Sequence, residues 1–105
     1  MVRFEVTEDA ILLWDLHTKI ILGGAAYIEC EKVIEIIALH IDEGSRNNGY
    51  GTQLMRLIQS HFQKDIGLGV LAENKDAQRF YERLGFKFVR RIRTGPALYL
   101  IKPYQ

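Results

Sequence analysis

The stretch "EGSRNNGYGTQLMRL", residues 43–57, stands between a run of apolar residues and a segment with the spacing of an amphipathic helix. It joins a charged turn to two closely spaced glycines, Gly49 and Gly51. A tight turn from a strand into a helix leaves backbone N–H groups unpaired, and the helix dipole adds positive charge there. Because side chains would keep a phosphate away from these groups, glycine suits both positions. The stretch predicts an anion-binding turn, although an ordinary glycine-bearing connection would have a similar sequence.

The residues before this turn predict three strands. "AILLWDL" (Ala10–Leu16) and "KIILGGAAYIEC" (Lys19–Cys30) are apolar runs joined by a polar turn, which is typical of a β-hairpin. Gly23 and Gly24, inside the second run, indicate a bulge or a close backbone approach. "KVIEIIALHI" (Lys32–Ile41) is apolar on both faces, so we expect a central strand that is covered on both sides.

The residues after the turn predict a helix, a strand and a second helix. The first helix runs from about Gly49 to Lys64, and the strand from Gly67 to Glu73. A strand reached through one helix from another strand indicates a β-α-β crossover between parallel neighbours. The apolar face of the first helix consists of Leu54, Leu57, Ile58, His61 and Phe62.

Asn74 or Asp76 can cap the second helix, and Gly85 ends it in a left-handed conformation, with Phe86 folding back onto it. Its apolar face consists of Ala77, Phe80, Tyr81 and Leu84. Two final runs, "FKFVRRI" and "ALYLIKPY", predict a hairpin around "RTGP", residues 93–96. The predicted fold class is α/β (α+β): a mixed, mostly antiparallel sheet of about six strands with one crossover and two main helices.

Composition narrows the function. A chain of 105 residues can bury a core, so we expect one domain over residues 1–105, and a net charge of +1 gives no overall attraction to nucleic acid or membranes. Acidic residues near the N-terminus and the absence of a long apolar run predict a cytoplasmic protein. Cys30, the one cysteine, cannot form an internal disulfide or a zinc cluster, and we expect a buried or half-buried side chain. No lysine follows the glycines as in a P-loop, and Leu54 stands where a dinucleotide fingerprint needs a third glycine.

Two motifs resemble those of the GNAT (GCN5-related) N-acetyltransferases. "RNNGYG" (Arg46–Gly51) resembles the family's Q/R-x-x-G-x-G/A loop, which binds the pyrophosphate of acetyl-CoA. The second hallmark, N-x-x-A-x-x-F-Y-x-x-L-G-F, matches residues 74–86. The resemblance implies an acyl-CoA N-acyltransferase-like fold and an acetyl-CoA-dependent N-acetyltransferase that needs no metal. The cofactor-binding residues it implies are Leu39, His40, Ile41, Arg46, Asn47, Asn48, Gly49, Tyr50, Gly51, Thr52, Asn74 and Tyr81.

The resemblance also implies catalytic roles. Tyr81 matches a tyrosine that can protonate the departing thiolate, although it could simply pack on the sheet, as Asn74 could simply cap its helix. Glu35 is the best candidate for the base, since it interrupts an apolar strand and burial suits a carboxylate to accept a proton. Water could replace it, in which case Glu35 only faces solvent. His40, placed by simple alternation on the face opposite Glu35, is expected to contribute its backbone alone.

One departure from the family concerns the acceptor side. Family members usually have one or two helices between the first strand and the hairpin, and here only residues 1–9 precede the first apolar run. We hypothesise that a second copy of the chain supplies this wall, because the apolar last strand, Ala97–Ile101, would be exposed as a bare edge. Arg90, Arg91 and Arg93 could attract an acidic acceptor or the 3′-phosphate of CoA. They are too few to indicate nucleic-acid binding. The alternative function is a non-catalytic acyl-CoA-binding or regulatory module.

Overall fold

The computed structural model describes residues 1–93 and 95–104. In this part of the chain, seven strands and two α-helices follow one another, with a short 3-10 turn at Glu43–Ser45. Their bounds are β1 Val2–Val6, β2 Ala10–Asp15, β3 Ile20–Glu29, β4 Val33–Ile41, α1 Tyr50–Phe62, β5 Asp65–Leu71, α2 Lys75–Arg83, β6 Lys87–Arg91 and β7 Ala97–Lys102. Neither helix of this part is long and apolar enough to cross a membrane.

The strands form one mixed sheet in the order β1-β2-β3-β4-β5-β7-β6. Strands β4 and β5 are parallel and connected through α1, and all other neighbours are antiparallel. The predicted fold class and its single crossover are therefore confirmed. The prediction missed β1, whose apolar residues alternate with Arg3 and Glu5 over only five positions.

The last strand is not an edge. β7 lies between β5 and β6, so the edges of the sheet are β1 and β6. The expectation of a bare apolar edge at Ala97–Ile101 is wrong. Strand β6 suits an edge position because its residues are all exposed and three of them, Lys87, Arg90 and Arg91, are charged. The "RTGP" turn leads into β7, and its Thr94 lies outside the described residues.

Both helices pack on one face of the sheet. Leu54, Met55 and Ile58 of α1 join strand residues such as Ile34 and Ile66 in a single buried cluster, and the apolar face of α2 packs against the same cluster. The predicted face of α1 is partly wrong, since Leu57 and His61 are exposed whereas Met55 and Gln59 are buried.

Gln59 can be buried because its amide donates to two backbone carbonyls near the C-terminus. Its Nε2 lies 2.9 Å from the oxygen of Lys102 and 3.1 Å from that of Pro103. These bonds offset the desolvation of the amide. They also fasten the end of β7 to α1.

A β-bulge interrupts β4. Tyr27 of β3 pairs with Ile36, whereas the neighbouring Ala26 pairs with Ala38, so Ile37 is an extra residue without a partner on β3. Such an insertion reverses the alternation of side chains along the bulged strand. The bulge therefore decides which residues of β4 share a face.

After the bulge, Leu39 and Ile41 face the helices, as Ile34 and Ile36 do before it. Glu35 and His40 lie together on the other face, because they pair with Ile28 and Gly24, which are four positions apart on unbroken β3. The prediction that His40 and Glu35 face opposite sides is therefore wrong. Simple alternation fails because it cannot include an inserted residue.

The face opposite the helices is open. Ile28 is 54% and Ile37 63% exposed, so the prediction that the central strand is covered on both sides is wrong. The connection from β1 to β2 is the short turn Thr7–Asp9 rather than a helix. The hydroxyl of buried Tyr27 donates to the carbonyl oxygen of Thr7 at 2.8 Å and holds this turn against β3.

Two local predictions have opposite outcomes. Gly23 and Gly24 are close approaches as expected, since a Cβ at either would overlap a carbonyl oxygen of the neighbouring strand, at His40 and Ile11 respectively. Cys30, in contrast, is exposed rather than buried or half-buried. It follows the last residue of β3, in the connection to β4, where no second layer covers the chain.

Candidate functional site

A cavity of about 840 Å³ lies where β4, the glycine turn, α1 and α2 meet. Every residue predicted to bind the cofactor lines this cavity, with the exception of Asn48. The fold thus brings together residues 39–41, 46–47, 49–52, 74 and 81. The prediction did not include the other lining residues, Ser45, Asp76, Ala77, Phe80, Arg83 and Leu84.

The start of α1 presents free N–H groups to the cavity. The first helical bond runs from the N–H of Gln53 to the carbonyl of Gly49, at 3.1 Å. Across the described residues, no backbone or side-chain acceptor is found for the N–H groups of residues 47–52. Gly49, the N-cap, has no side chain to accept from them. Unpaired N–H groups and the positive end of a helix dipole form an anion site.

The backbone conformation requires only one of the two glycines of the turn. Gly49 has a φ of +76°, a conformation that side chains disfavour, and a Cβ there would meet no atom within 4 Å. Gly49 therefore sets the backbone direction of the turn. Gly51 has an ordinary φ, and its Cβ would lie 3.4 Å from Cζ of Phe80, in ordinary van der Waals contact with α2.

Arg46 and Asn48 shape the turn from within. The Arg46 Nε donates to the carbonyl oxygen of Ile41 at 3.0 Å, so its side chain reaches back to the end of β4. The amide of Asn48 donates to the carbonyl oxygen of Ser45, also at 3.0 Å. Asn48 thus stabilises the turn without lining the cavity.

The ladder between β4 and β5 is short. Its paired residues are Val33–Glu35 with Asp65–Gly67, and β4 continues to Ile41 without a partner on that side. The backbone of Leu39–Ile41 lines the cavity instead. A gap therefore opens between the two parallel strands immediately after Glu35, where backbone groups are free to bind a ligand.

His40 lies at the edge of this gap with its side chain mostly exposed. Its Nε2 is 3.1 Å from a carboxylate oxygen of Asp42, so the imidazole pairs with a neighbour on the surface.

The second hallmark forms a capped helix against the cavity. The Asn74 side chain accepts from the N–H of Ala77 at 3.1 Å, which makes it the N-cap of α2. At the other end, Gly85 has a φ of +102°, and the N–H of Phe86 donates to the carbonyl of Tyr81 at 3.0 Å. This is the predicted left-handed ending.

Tyr81 lines the cavity from the side of α2. Its ring makes edge contacts with those of Phe80 and Phe86, at centroid distances of 5.4 and 5.7 Å. Burial raises the pKa of the Tyr81 hydroxyl above its usual value. The hydroxyl therefore stays protonated at neutral pH and is available as a proton donor.

Glu35 does not line the cavity but lies on the open face, just before the gap. The hydroxyl of Tyr99 on β7 donates to its Oε1 at 2.5 Å. Tyr99 was not among the predicted site residues. The only sequence signal for it is its position within the alternating run "ALYLI". Arg90 stacks over the Tyr99 ring, 5.1 Å from its centroid. Arg90, Arg91 and Arg93 are not among the residues that line the cavity.

In residues 1–93 and 95–104, no group of three or more His, Cys, Asp or Glu side chains could hold a metal ion. The donors in the cavity are N–H groups and hydroxyls, which suit an anion better than a cation.

Comparison with known proteins identifies relatives for this arrangement. The model of the acetyltransferase (GNAT) family matches residues 3–86, a range that includes both motifs. No curated protein shows significant similarity to the chain.

Solved structures with the same fold include three named acetyltransferases. PaiA N-acetyltransferase from Thermoplasma acidophilum, in complex with coenzyme A, is 19% identical, with a TM-score of 0.75 over 91% of this chain and 62% of that one. The ribosomal-protein-S18-alanine N-acetyltransferase from Escherichia coli is 21% identical, with a TM-score of 0.71 over 95% and 72%. Naa50 from Arabidopsis thaliana, in complex with the bisubstrate analogue CoA-Ac-MVNAL, is 21% identical, with a TM-score of 0.69 over 88% and 70%.

The chain is short relative to these proteins. It spans between 62% and 72% of their length. Because these structures are at most 21% identical to the chain, their comparison shows the fold alone.

Proposed function

Because the chain belongs to the GNAT acetyltransferase family, we propose that it is an acetyl-CoA-dependent N-acetyltransferase, which moves an acetyl group to a primary amine by direct attack on the thioester. The observation that carries this proposal is the row of free N–H groups at residues 47–52, all of which except Asn48 line a cavity of about 840 Å³. Several free N–H groups at the positive end of a helix dipole favour a ligand that carries negative charge.

The pyrophosphate of acetyl-CoA would bind to the free N–H groups of residues 47–52, with added attraction from the dipole of α1. The Arg46 N–H already donates to the carbonyl oxygen of Glu43, at 3.3 Å. The pantetheine arm would lie in the gap between β4 and β5, bonded to the backbone of Leu39–Ile41. Asn74 lines the same cavity, and its amide nitrogen remains available to the arm, since its oxygen caps α2. This placement points the thioester toward the end of the β4–β5 ladder.

The gap gives the two proposed catalytic groups access from opposite faces of the sheet. Tyr81 borders the cavity on the helix face, and Glu35 lies on the open face where the ladder ends. An acceptor ammonium would lose its proton to Glu35, directly or through water, and its nitrogen would then attack the thioester carbon. A free backbone N–H of β4, near Ile41, would stabilise the oxyanion.

Collapse of the tetrahedral intermediate breaks the carbon–sulfur bond. The thiolate that leaves would take a proton from the Tyr81 hydroxyl, and solvent would return the proton to the phenolate. Burial raises the pKa of Tyr81, so the hydroxyl is protonated in the resting site and its proton is present when the thiolate forms.

The open face favours an acceptor that approaches along the sheet. With only Thr7–Asp9 between β1 and β2, no helix of the described chain restricts this side. Such a site could admit a bulky amine or a protein tail. A second copy of the chain could still supply a wall, although the edge-strand argument for a dimer no longer holds, because β7 is interior.

The same open face is compatible with a second candidate function, that of a non-catalytic acyl-CoA-binding module. The two are distinguished by incubating the purified chain with acetyl-CoA and a panel of spermidine, lysine, and peptides with a free N-terminus. If the chain is an enzyme, we expect CoA thiol to be released only when an amine is present, and the acceptor to become heavier by one acetyl group. Binding of acetyl-CoA without release with any amine would support the module instead. Glu35→Gln and Tyr81→Phe serve as paired variants, since each should slow release without weakening cofactor binding.

A further inference from the structure

We infer that Tyr99 is a positioning residue for the proposed base, and that its hydroxyl orients the Glu35 carboxylate through a hydrogen bond across the open face. The inference rests on the proposed function. It concerns a residue that lies outside both sequence motifs and does not line the cofactor cavity.

The first observation is the contact itself. The Tyr99 hydroxyl donates to Oε1 of Glu35 at 2.5 Å, a short distance typical of a hydroxyl bonded to a carboxylate. Both side chains are partly buried, so the bond is only partly weakened by competition with water. A charge-assisted hydrogen bond to one carboxylate oxygen fixes the orientation of the carboxylate group.

The second observation is that the fold leaves room for this contact. Gly67 of β5 pairs with Glu35 and lies between the two side chains in the sheet. A Cβ at Gly67 would overlap the Tyr99 hydroxyl oxygen and would lie 3.1 Å from Oε2 of Glu35. The glycine is in the interior of a strand, where glycine normally weakens the strand. Its presence therefore has a specific reason, which is the passage of the Tyr99 side chain to Glu35.

The third observation concerns the proton on Tyr99. Burial, and then the hydrogen bond and charge of Glu35, raise the pKa of Tyr99 far above its usual value, while Arg90 lowers it in part. The Tyr99 hydroxyl thus remains protonated at neutral pH and can donate this hydrogen bond. The guanidinium of Arg90, 5.1 Å from the ring centroid, holds the ring from the open side.

One further ionisable group affects Tyr99. The Cys30 thiol, which directly follows β3, adds to the rise in the pKa of the Tyr99 hydroxyl. The residues that β3 and β5 pair with Glu35, Ile28 and Gly67, carry no charge. Among the described residues, the Tyr99 hydroxyl is therefore the group that holds the Glu35 carboxylate in place.

Two experiments test the inference, and the first needs neither cofactor nor acceptor. Tyrosine labelled with ¹³C at Cζ gives one NMR signal for each of the five tyrosines. The signal that disappears in Tyr99→Phe identifies Tyr99. We expect Glu35→Gln to move this signal and to leave the signal of exposed Tyr104 in place. An unmoved Tyr99 signal would show that the contact is absent and would overturn the inference, whatever the protein catalyses.

The second experiment measures kcat and KM separately, with acetyl-CoA and the amine of the panel that reacts fastest. Without the hydrogen bond, the Glu35 carboxylate loses its fixed orientation, so Tyr99→Phe should lower kcat by roughly tenfold. The KM for acetyl-CoA should stay within about twofold, because Tyr99 does not line the cofactor cavity. An unchanged kcat, or a loss that lies mainly in the KM for acetyl-CoA, would contradict the inference.

A glycine pair provides a matched control. Gly67→Ala should reproduce the loss of kcat seen in Tyr99→Phe, because the methyl group displaces the Tyr99 hydroxyl. Gly69→Ala, two residues along the same strand, would meet the flexible end of Ile92 at 3.2 Å and should leave kcat unchanged. An equal kcat for the two alanine variants would count against the inference. If the unmodified protein releases no CoA with any amine, the proposed function is contradicted. The NMR result would still decide whether Tyr99 contacts Glu35.

Discussion

Replacing Gly49 with alanine should show how much the anion-binding turn depends on its backbone conformation. The φ of Gly49 is +76°, and the left-handed conformation costs about 1–2 kcal/mol for a residue with a Cβ. No atom lies within 4 Å of the added Cβ, so crowding contributes nothing to this cost.

The strain introduced by Gly49→Ala lowers either the free energy of unfolding or the affinity for acetyl-CoA. If the turn of Gly49→Ala keeps its shape, the free energy of unfolding falls by the whole amount and the affinity for acetyl-CoA is unchanged. If the turn relaxes, stability recovers, but binding must restore the strained shape. We therefore expect the losses in unfolding and binding free energy to sum to about 1–2 kcal/mol. Complete relaxation would weaken binding by roughly fivefold to thirtyfold.

The assay combines urea unfolding of the free protein with calorimetric titration by acetyl-CoA. Gly44→Ala is the matched control, since Gly44 lies in the same turn, has no positive φ, and would place its Cβ in open space. For Gly44→Ala, the losses in unfolding free energy and in binding free energy should each stay within about 0.5 kcal/mol. If the summed loss for Gly49→Ala equals that of Gly44→Ala, the conformation assigned to the turn is wrong.

Three further predictions concern other parts of the site. Tyr81→Phe should lower kcat by roughly tenfold to a hundredfold at unchanged acetyl-CoA affinity, because it removes the proton donor and keeps the ring; full turnover at saturating cofactor would rule out this role. Asn74→Ala should lower the free energy of unfolding by about 1 kcal/mol through loss of the cap to α2, as measured in urea, whereas Asn74→Asp should retain the cap; equal stability of all three proteins would contradict it. Burial raises the pKa of Tyr27, Tyr81 and Tyr99, so the folded state holds more protons than the unfolded state above pH about 10, and the melting temperature should fall as the pH rises beyond that value. A melting temperature that is constant from pH 9 to 11, roughly the range over which free tyrosine ionises, would be the contrary result.

The parts of the site that sequence predicts well are those with local causes. The turn at Gly49, the cap at Asn74 and the left-handed ending at Gly85 each depend on residues within a few positions of one another. The chemistry of helix ends is sufficient to predict them. For this reason, all but one of the residues predicted to bind the cofactor line the cavity, although six further lining residues were not predicted.

The parts that sequence missed depend on strand register. The bulge at Ile37 becomes visible only from the pairing of β3 with β4, and it reverses the side that His40 faces. The bond between Tyr99 and Glu35 joins residues 64 positions apart and depends on the order β4-β5-β7. Periodicity within one segment contains no information about either.

The predictions about the open face were partly right and partly wrong, again because strand order is not visible within one segment. The lack of a helix between β1 and β2 agrees with the few residues available there, but the interior position of β7 required knowledge of the strand order. The apolar run Ala97–Ile101 is consistent with either position.

The most direct test of this account is an NMR titration of the ¹⁵N-labelled chain with CoA. We predict that the backbone amide signals of Tyr50, Gly51 and Thr52 shift downfield and saturate, as N–H groups do when they begin to donate to an anion, while that of Ile28 on the open face stays in place. Shifts centred on the open face, or saturable binding that leaves these three amides unmoved, would contradict the assignment of the turn as the cofactor site.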